Sequence, residues 1–248
     1  MADNESALDA VFARLHAGLP RQAPGSVATT ELLLRLAGPL PPQPSILDIG
    51  CGPGSSTIRL AELTGGTVTA VDTHRPFLDE VLARAAAAGV SAQVEVLAAA
   101  MEELPVAVGG ADVIWSEGAA YLMGFDAALH AWRECLAPGG VLVVTEAEYT
   151  VAHPSPGVRA FWEPGYPAMR TTAGNVAACL EAGWDLVALY RLPETDWREY
   201  YGPLAARIDE FAAQGVDDDL LAPARAEIAV RRDYGGEYGY TAYVLRRV

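Results

Sequence analysis

The chain has 248 residues, 51% of them hydrophobic, and a formal charge of −15 from 17 basic and 32 acidic side chains. Its apolar content suffices for a packed core and excludes global disorder. All 17 basic residues are arginine, which excludes a Schiff-base lysine and the lysine of a phosphate-binding loop. With basic pairs only at Arg231/Arg232 and Arg246/Arg247, the acidic balance argues against nucleic acid and toward a small-molecule substrate. Cys51, Cys135 and Cys179 are odd in number and widely spaced, which suggests neither a disulfide framework nor a zinc site. Acids stand at the N-terminus where a secretory signal carries positive charge, and no apolar run approaches the roughly 18 residues of a membrane span. The expectation is a cytoplasmic protein with no membrane partner.

Leu8, Val11, Phe12 and Leu15 have helical spacing within residues 5–18, ahead of a break at Pro20, Pro24 and Gly25. A second helix is expected over 29–36. The proline-rich run 38–44 excludes regular structure and leads into Ser45–Ile49, a short apolar strand ended by glycines. Patterns then alternate: helix 55–63, strand 67–71, helix 76–88 stopped by Gly89, strand 92–97, strand 112–116, a helix from an Asp126 cap to Leu136, a turn at Pro138-Gly139-Gly140, and strand 141–146. Such repetition predicts a parallel sheet with helices on both faces. Beyond it come an irregular aromatic stretch over 149–166, a helix over 172–181, a strand over 184–192, helices over 203–214 and 219–231, and a closing strand over 238–245. The last two strands are expected to pair antiparallel at a sheet edge, with the excursion between them covering the sheet's carboxyl ends.

Between the first strand and its helix stands Asp48-Ile49-Gly50-Cys51-Gly52-Pro53-Gly54-Ser55-Ser56, where glycines let a ligand approach the backbone. A dinucleotide loop would put its third glycine at position 55, which is serine, and Gly54 comes one residue early. A carboxylate before the first glycine gives nothing to a pyrophosphate, but it suits a ligand carrying a cationic amine and a sulfonium. A zwitterionic cofactor therefore fits this loop better than NAD.

On these residues the chain resembles the class I S-adenosylmethionine (SAM) dependent methyltransferases, in their small-molecule, type 11-like branch. Four further segments carry the resemblance in order: Ala70-Val71-Asp72, Ala100-Met101-Glu102-Glu103-Leu104-Pro105, Ala111-Asp112-Val113-Ile114-Trp115-Ser116-Glu117-Gly118 and Leu136-Ala137-Pro138-Gly139-Gly140-Val141-Leu142. Outside this core, Arg21-Gln22-Ala23-Pro24-Gly25-Ser26, Phe161-Trp162 with Tyr166-Pro167, and Tyr238-Gly239-Tyr240 resemble one subgroup. The resemblance implies an α/β fold, Rossmann-like and doubly wound: a mostly parallel seven-stranded sheet with an antiparallel last strand and helices on both faces. It implies one domain over 1–248, with an N-terminal lid at 1–30 and substrate-covering insertions at 149–171 and 193–236. SAM would be the methyl donor and S-adenosylhomocysteine (SAH) the product, in a monomer or homodimer acting on an O, N or C atom of a small molecule.

The cofactor residues so implied are Asp48, Gly50, Cys51 and Gly52 in the loop, Asp72 and Thr73 at the ribose, Met101 and Glu102 at the adenine, Ser116 on the fourth strand, and Arg21 and Gln22 from the lid. Arg21 would pair with the cofactor carboxylate. Ala100 stands where many relatives carry an aspartate for the adenine amino group, which leaves adenine to the Met101 backbone, apolar packing and Glu102.

On the acceptor side, Glu117 follows the fourth strand and is the first candidate to orient or deprotonate the acceptor, with Tyr121 second. Tyr149, Trp162 and Tyr166 would form an aromatic wall of the substrate pocket. Glu146, Glu148 and His153 match no metal-ligand spacing, so no metal is expected. Plainer roles stay open: a tight turn for the glycine loop, helix caps for Asp72 and Glu117, a solvated loop for His74, core for Trp115 and Trp132. A SAM-binding protein without transfer activity and a nicotinamide oxidoreductase are the alternatives, and Ser55 counts against the second.

Overall fold

Five apolar segments align in parallel within one sheet: β1 (Ser45–Ile49), β2 (Thr67–Asp72), β3 (Val94–Ala98), β4 (Ala111–Glu117) and β5 (Leu136–Tyr149). The computed structural model describes residues 2–104 and 110–247, so Pro105 at the end of the expected adenine loop lies outside the described residues. β6 (Trp184–Arg191) and β7 (Tyr238–Arg247) complete a seven-stranded sheet of order β3-β2-β1-β4-β5-β7-β6. β7 runs antiparallel to both neighbours and inserts between β5 and β6. The strand order reverses at β1 and β4, the position where doubly wound sheets open a crevice at their carboxyl ends.

Each face of the sheet has its own core. Leu33 of α2 (Val27–Leu36), Leu60 of α3 (Ser55–Thr64) and Leu78 and Val81 of α4 (Arg75–Ala88) pack with Val68, Val113 and Trp115. On the other face, Phe125, Leu129 and Trp132 of α5 (Phe125–Cys135) and Cys179 of α7 (Thr172–Glu181) pack with Ile114, Leu142 and Tyr243. A third cluster joins α1 (Ala2–His16) to α8 (Glu194–Ala213) and α9 (Asp218–Tyr234) through Val11, Leu15, Leu204, Ile208 and Leu221.

Four expectations are corrected. The turn at Pro138–Gly140 is a bulge inside β5, where pairing with β4 jumps from Ala111↔Leu136 to Val113↔Val141. The stretch over 149–166 holds a helix, α6 (Pro156–Trp162), which Pro156 starts within its first turn. α8 begins nine residues before Pro203, because buried Trp197, Tyr200 and Leu204 continue one apolar stripe through the proline. Asp126 is not the cap of α5, which Gly124 provides; its carboxylate instead takes two hydrogen bonds from Arg170, at 2.6 and 3.1 Å.

Candidate functional site

A cleft of about 420 Å³ opens at the carboxyl ends of β1, β2 and β4. Its floor is the glycine loop. The Gly50 and Cys51 N–H groups both donate to the Val71 carbonyl, at 2.9 and 3.0 Å, which folds the loop back over β2. Gly50 has φ +67°, and a Cβ there would collide with the side chain of Ala119. Gly54 has φ +86°, and its Cβ would lie 2.6 Å from Val81 Cγ2, so this glycine lets α3 start hard against α4.

Asp72, at the end of β2, braces the floor and faces the cleft. One oxygen accepts from Gly52 N–H at 3.0 Å and the other from His74 N–H at 2.8 Å. Asp48 lies one layer behind, 1% exposed, and its Oδ2 accepts from the hydroxyls of Ser56 at 3.0 Å and Thr57 at 2.6 Å. Its Oδ1 is buried without a partner. Burial pushes the Asp48 carboxyl up to about 7, Thr57 opposes the rise, and the nearby Glu117 charge adds to it.

The roof comes from Phe12, Ala13 and His16 of α1 and from Pro20 to Ala23. Arg21 enters it as half of an ion pair. Its Nη1 donates to Glu117 Oε2 at 2.5 Å, with the two side chains 8% and 7% exposed. Glu117 Oε1 also accepts from the Thr30 hydroxyl at 2.9 Å and the Trp115 indole at 2.8 Å. Three donors thus occupy the Glu117 carboxylate, and the Arg21 guanidinium, expected at a cofactor carboxylate, is turned onto it.

Of the residues singled out from the sequence, Arg21, Gln22, Gly50, Cys51, Gly52, Asp72, Thr73, Met101, Glu117 and Tyr121 line the cleft. Asp48 and Ser116 are buried behind it, and Glu102 is exposed outside it. Tyr149, Trp162 and Tyr166 do not reach the cleft wall. Tyr166 lies behind Tyr121, ring centroids 5.8 Å apart, and Trp162 packs edge-on against Tyr238. Glu148 and His153 do not gather with Glu146: the Glu148 carboxylate is taken by Thr172, Asn175, Arg191, Thr241 and Tyr243. Among the described residues no group of three His, Cys, Asp or Glu is placed to hold a metal ion, and no helix is long and apolar enough to cross a membrane.

Within the lid expected over 1–30, the sequence singles out Arg21 and Gln22 but not the cleft-lining residues of α1. Phe12 fits the apolar stripe of that helix, yet it is 57% exposed and borders the cleft with His16. Glu146, a candidate ligand in the sequence, is 1% exposed. Burial pushes it up to about 8, with the Tyr166 hydroxyl, the Ala147 backbone and the Arg170 charge opposing.

Comparison with known proteins agrees with this architecture. Over residues 46–140, from β1 to the start of β5, the chain matches the methyltransferase domain family. More particularly, its fold is that of the class I SAM-dependent methyltransferases. A SAM-dependent methyltransferase from Geobacter sulfurreducens in complex with SAH superposes with a TM-score of 0.83 at 19% identity, over 96% of this chain and 98% of that one. Dimethylglycine N-methyltransferase of Parasynechococcus marenigrum is 34% identical over 125 residues, 50% of this chain and 45% of that one. Trans-aconitate 2-methyltransferase of Paracidovorax citrulli is 30% identical over 203 residues, 81% of this chain and 64% of that one. The chain spans about half the length of the first curated relatives it matches, 45% and 54%.

Proposed function

We propose that this protein transfers a methyl group from SAM to an O, N or C atom of a small molecule. The observation that carries the reading is the cleft at the strand-order reversal, floored by a glycine loop that side chains would block and bordered by Asp72. The relatives' names, each a methyltransferase with a different small acceptor, support the reaction class and leave the acceptor open.

The residues present fit the cofactor. Gly50 and Gly52 give close backbone approach, Asp72 borders the cleft where ribose hydroxyls would donate to it, and Met101 and Phe77 form an apolar slot for adenine beside Ala99. Gln22, Thr73, Cys51 and the buried Asp48 Oδ1 complete the polar surroundings, with Ser116 and Glu102 further out. When bound, SAM supplies a methyl group already activated on a sulfonium sulfur, so the protein has mainly to align an acceptor and exclude water. The α1 segment and residues 20–23 close the cleft from above. Glu117, matched in charge by Arg21, orients the acceptor side and holds the roof to β4. Tyr121 forms the end wall with Tyr166 behind it, while Tyr149 and Trp162 shape the layer underneath.

Calorimetry with SAM, SAH and NAD tests the reading, followed by transfer of label from methyl-labelled SAM into a cell metabolite fraction. Binding of SAM and SAH but not NAD, together with a labelled product, is expected. Binding without any labelled product would favour a non-catalytic SAM-binding protein.

A further inference from the structure

The acceptor side of the cleft offers a cation and nowhere to leave a proton. Both oxygens of Glu117 are taken, by Arg21 on one and by Thr30 and Trp115 on the other. His16 has its Nδ1 2.8 Å from the Phe12 carbonyl and its Nε2 3.3 Å from the Tyr200 hydroxyl, so neither nitrogen is left for a ligand. Burial pushes the Cys51 thiol and the Tyr121 phenol up, which keeps both protonated at neutral pH. Asp72 and His74 stand at the end of β2, and β1 separates that strand from β4, a displacement of two strand spacings or about 10 Å. Among the described residues that border the cleft, no free base stands at the β4 end.

Arg21, which borders the same cleft, has donors to spare. A guanidinium carries about five N–H groups. Nη1 uses one on Glu117 and Nη2 one on the Thr30 hydroxyl, at 3.2 Å, and the others have no partner in the protein. The chain is fitted closely around this group: a Cβ on Gly25 would stand 2.9 Å from Nη1 and 3.0 Å from Glu117 Oε2. Glu117 at the end of β4 and Thr30 near the start of α2 therefore fix its position before any ligand arrives. A guanidinium held in this way matches the planar geometry of a carboxylate and repels an ammonium group.

We propose that the methyl acceptor is a carboxylic acid, bound as its carboxylate by the free N–H groups of Arg21, and that the product is its methyl ester. The inference rests on the methyltransferase reading. A carboxylate oxygen already holds its electron pair at neutral pH, so the step needs no base. Two hydrogen bonds from Arg21 leave the remaining lone pairs of the carboxylate free to attack. One such pair forms the bond to the methyl carbon, the bond from that carbon to the sulfonium sulfur breaks with its pair staying on sulfur, and no proton moves. Anion and sulfonium both lose their charge, giving a neutral ester and a neutral thioether, and a cleft roofed against water favours a step that removes charge. An alcohol or a C–H acceptor would have to give up a proton for which the acceptor side has no taker.

The test follows the methyl label. The protein is incubated with methyl-labelled SAM and a cell metabolite fraction, and the products, separated from SAM, are treated with mild alkali. Alkali releases an ester methyl as volatile methanol and leaves a methyl on ether oxygen, nitrogen or carbon in place. Release of the label as methanol is expected. Label that stays in the non-volatile product overturns the carboxylate assignment and leaves the methyltransferase reading standing. The absence of any labelled product refutes that reading, and the assignment falls with it. A second arm compares Glu117→Gln with Arg21→Gln/Glu117→Gln, the double variant carrying neither charge of the pair. Relative to the single variant, the double variant should lose a further ten- to hundredfold, roughly, of alkali-labile label, with SAH affinity by calorimetry within about threefold. Equal alkali-labile label in the two variants overturns the role of Arg21. A matching fall in SAH affinity overturns it as well, by giving Arg21 to the carboxylate of the cofactor. The wild-type arm decides the acceptor class even if the double variant does not fold.

Discussion

Glu146→Gln separates a buried carboxyl's charge from its shape. Glu146 sits near the carboxyl end of β5, 1% exposed, its pKa raised from 4.5 to about 8 chiefly by burial, with the Tyr166 hydroxyl and the Ala147 backbone opposing. A carboxyl whose folded pKa exceeds its unfolded one adds stability that is complete below the unfolded value and is lost as pH rises through the folded value. Here the loss begins near 4.5 and levels off above about 8. Between about pH 5 and pH 8 the wild type should lose on the order of 3 kcal/mol through this one group, at 1.36 kcal/mol per pH unit. Glutamine has nearly the same volume and does not ionise, so the variant should be close to wild type at the acid end and more stable at the alkaline end. For a chain of this size 1 kcal/mol corresponds to roughly 2–4 °C, so the Tm difference should grow by about 6–12 °C across that range. Asp48, raised to about 7, drifts in the same direction, but it is present in both proteins and cancels in the difference. Paired thermal melts or urea titrations across the range provide the measurement. A difference independent of pH would mean that the ionised carboxylate has compensation that burial alone does not provide, and the reasoning would fail.

Three other outcomes follow from the cleft. Asp72→Ala should weaken SAH binding by about 1.5–3 kcal/mol, the scale of a hydrogen bond to a charged group, with a folded protein by circular dichroism; unchanged calorimetric affinity would remove Asp72 from the ribose. Arg21→Met leaves the Glu117 charge buried without its counter-charge and should cost about 3–5 kcal/mol in urea unfolding, most of it regained in the Arg21→Met/Glu117→Gln double variant; two additive losses would mean the pair is not coupled. Glu117→Gln should keep label transfer within about tenfold if the residue orients, whereas a loss of 10² to 10⁴ would return the proton-accepting role to it.

The central sheet was legible because its signals are local. Ser45–Ile49 and Thr172–Glu181 have the boundaries their patterns predict, and the glycine loop announces its turn. The features that escaped depend on partners distant in sequence. An apolar stripe tells which face of α1 is buried, but not that Phe12 would border a cleft. Asp126 satisfies every local rule for a cap, and a contact with Arg170, 44 residues away, decides its place instead. Arg21 and Glu117 were both singled out, yet a separation of 96 residues hid that each is the other's counter-charge.

The cleft end of the sheet carries an acid near the end of four central strands, and each is compensated differently. Asp72 is held by two backbone N–H groups, and Glu117 by a guanidinium, a hydroxyl and an indole. Asp48 has two hydroxyls on one oxygen and nothing on the other, and Glu146 is buried with its pKa pushed up, only the Tyr166 hydroxyl, the Ala147 backbone and the Arg170 charge opposing. Folding alone would favour apolar residues at the last two positions, since burial disfavours the charge of both carboxyls. Such uncompensated groups are found where local rules yield to function. Their gathering at the carboxyl end of the sheet, beneath a roof drawn from a remote part of the chain, ties the stability deficit of the fold to the same end as its cleft. The Arg21-Glu117 pair then acts as the joint between the two: it brings the roof's positive charge into the acidic end of the sheet, and in that low-dielectric setting neither partner can leave without stranding the other.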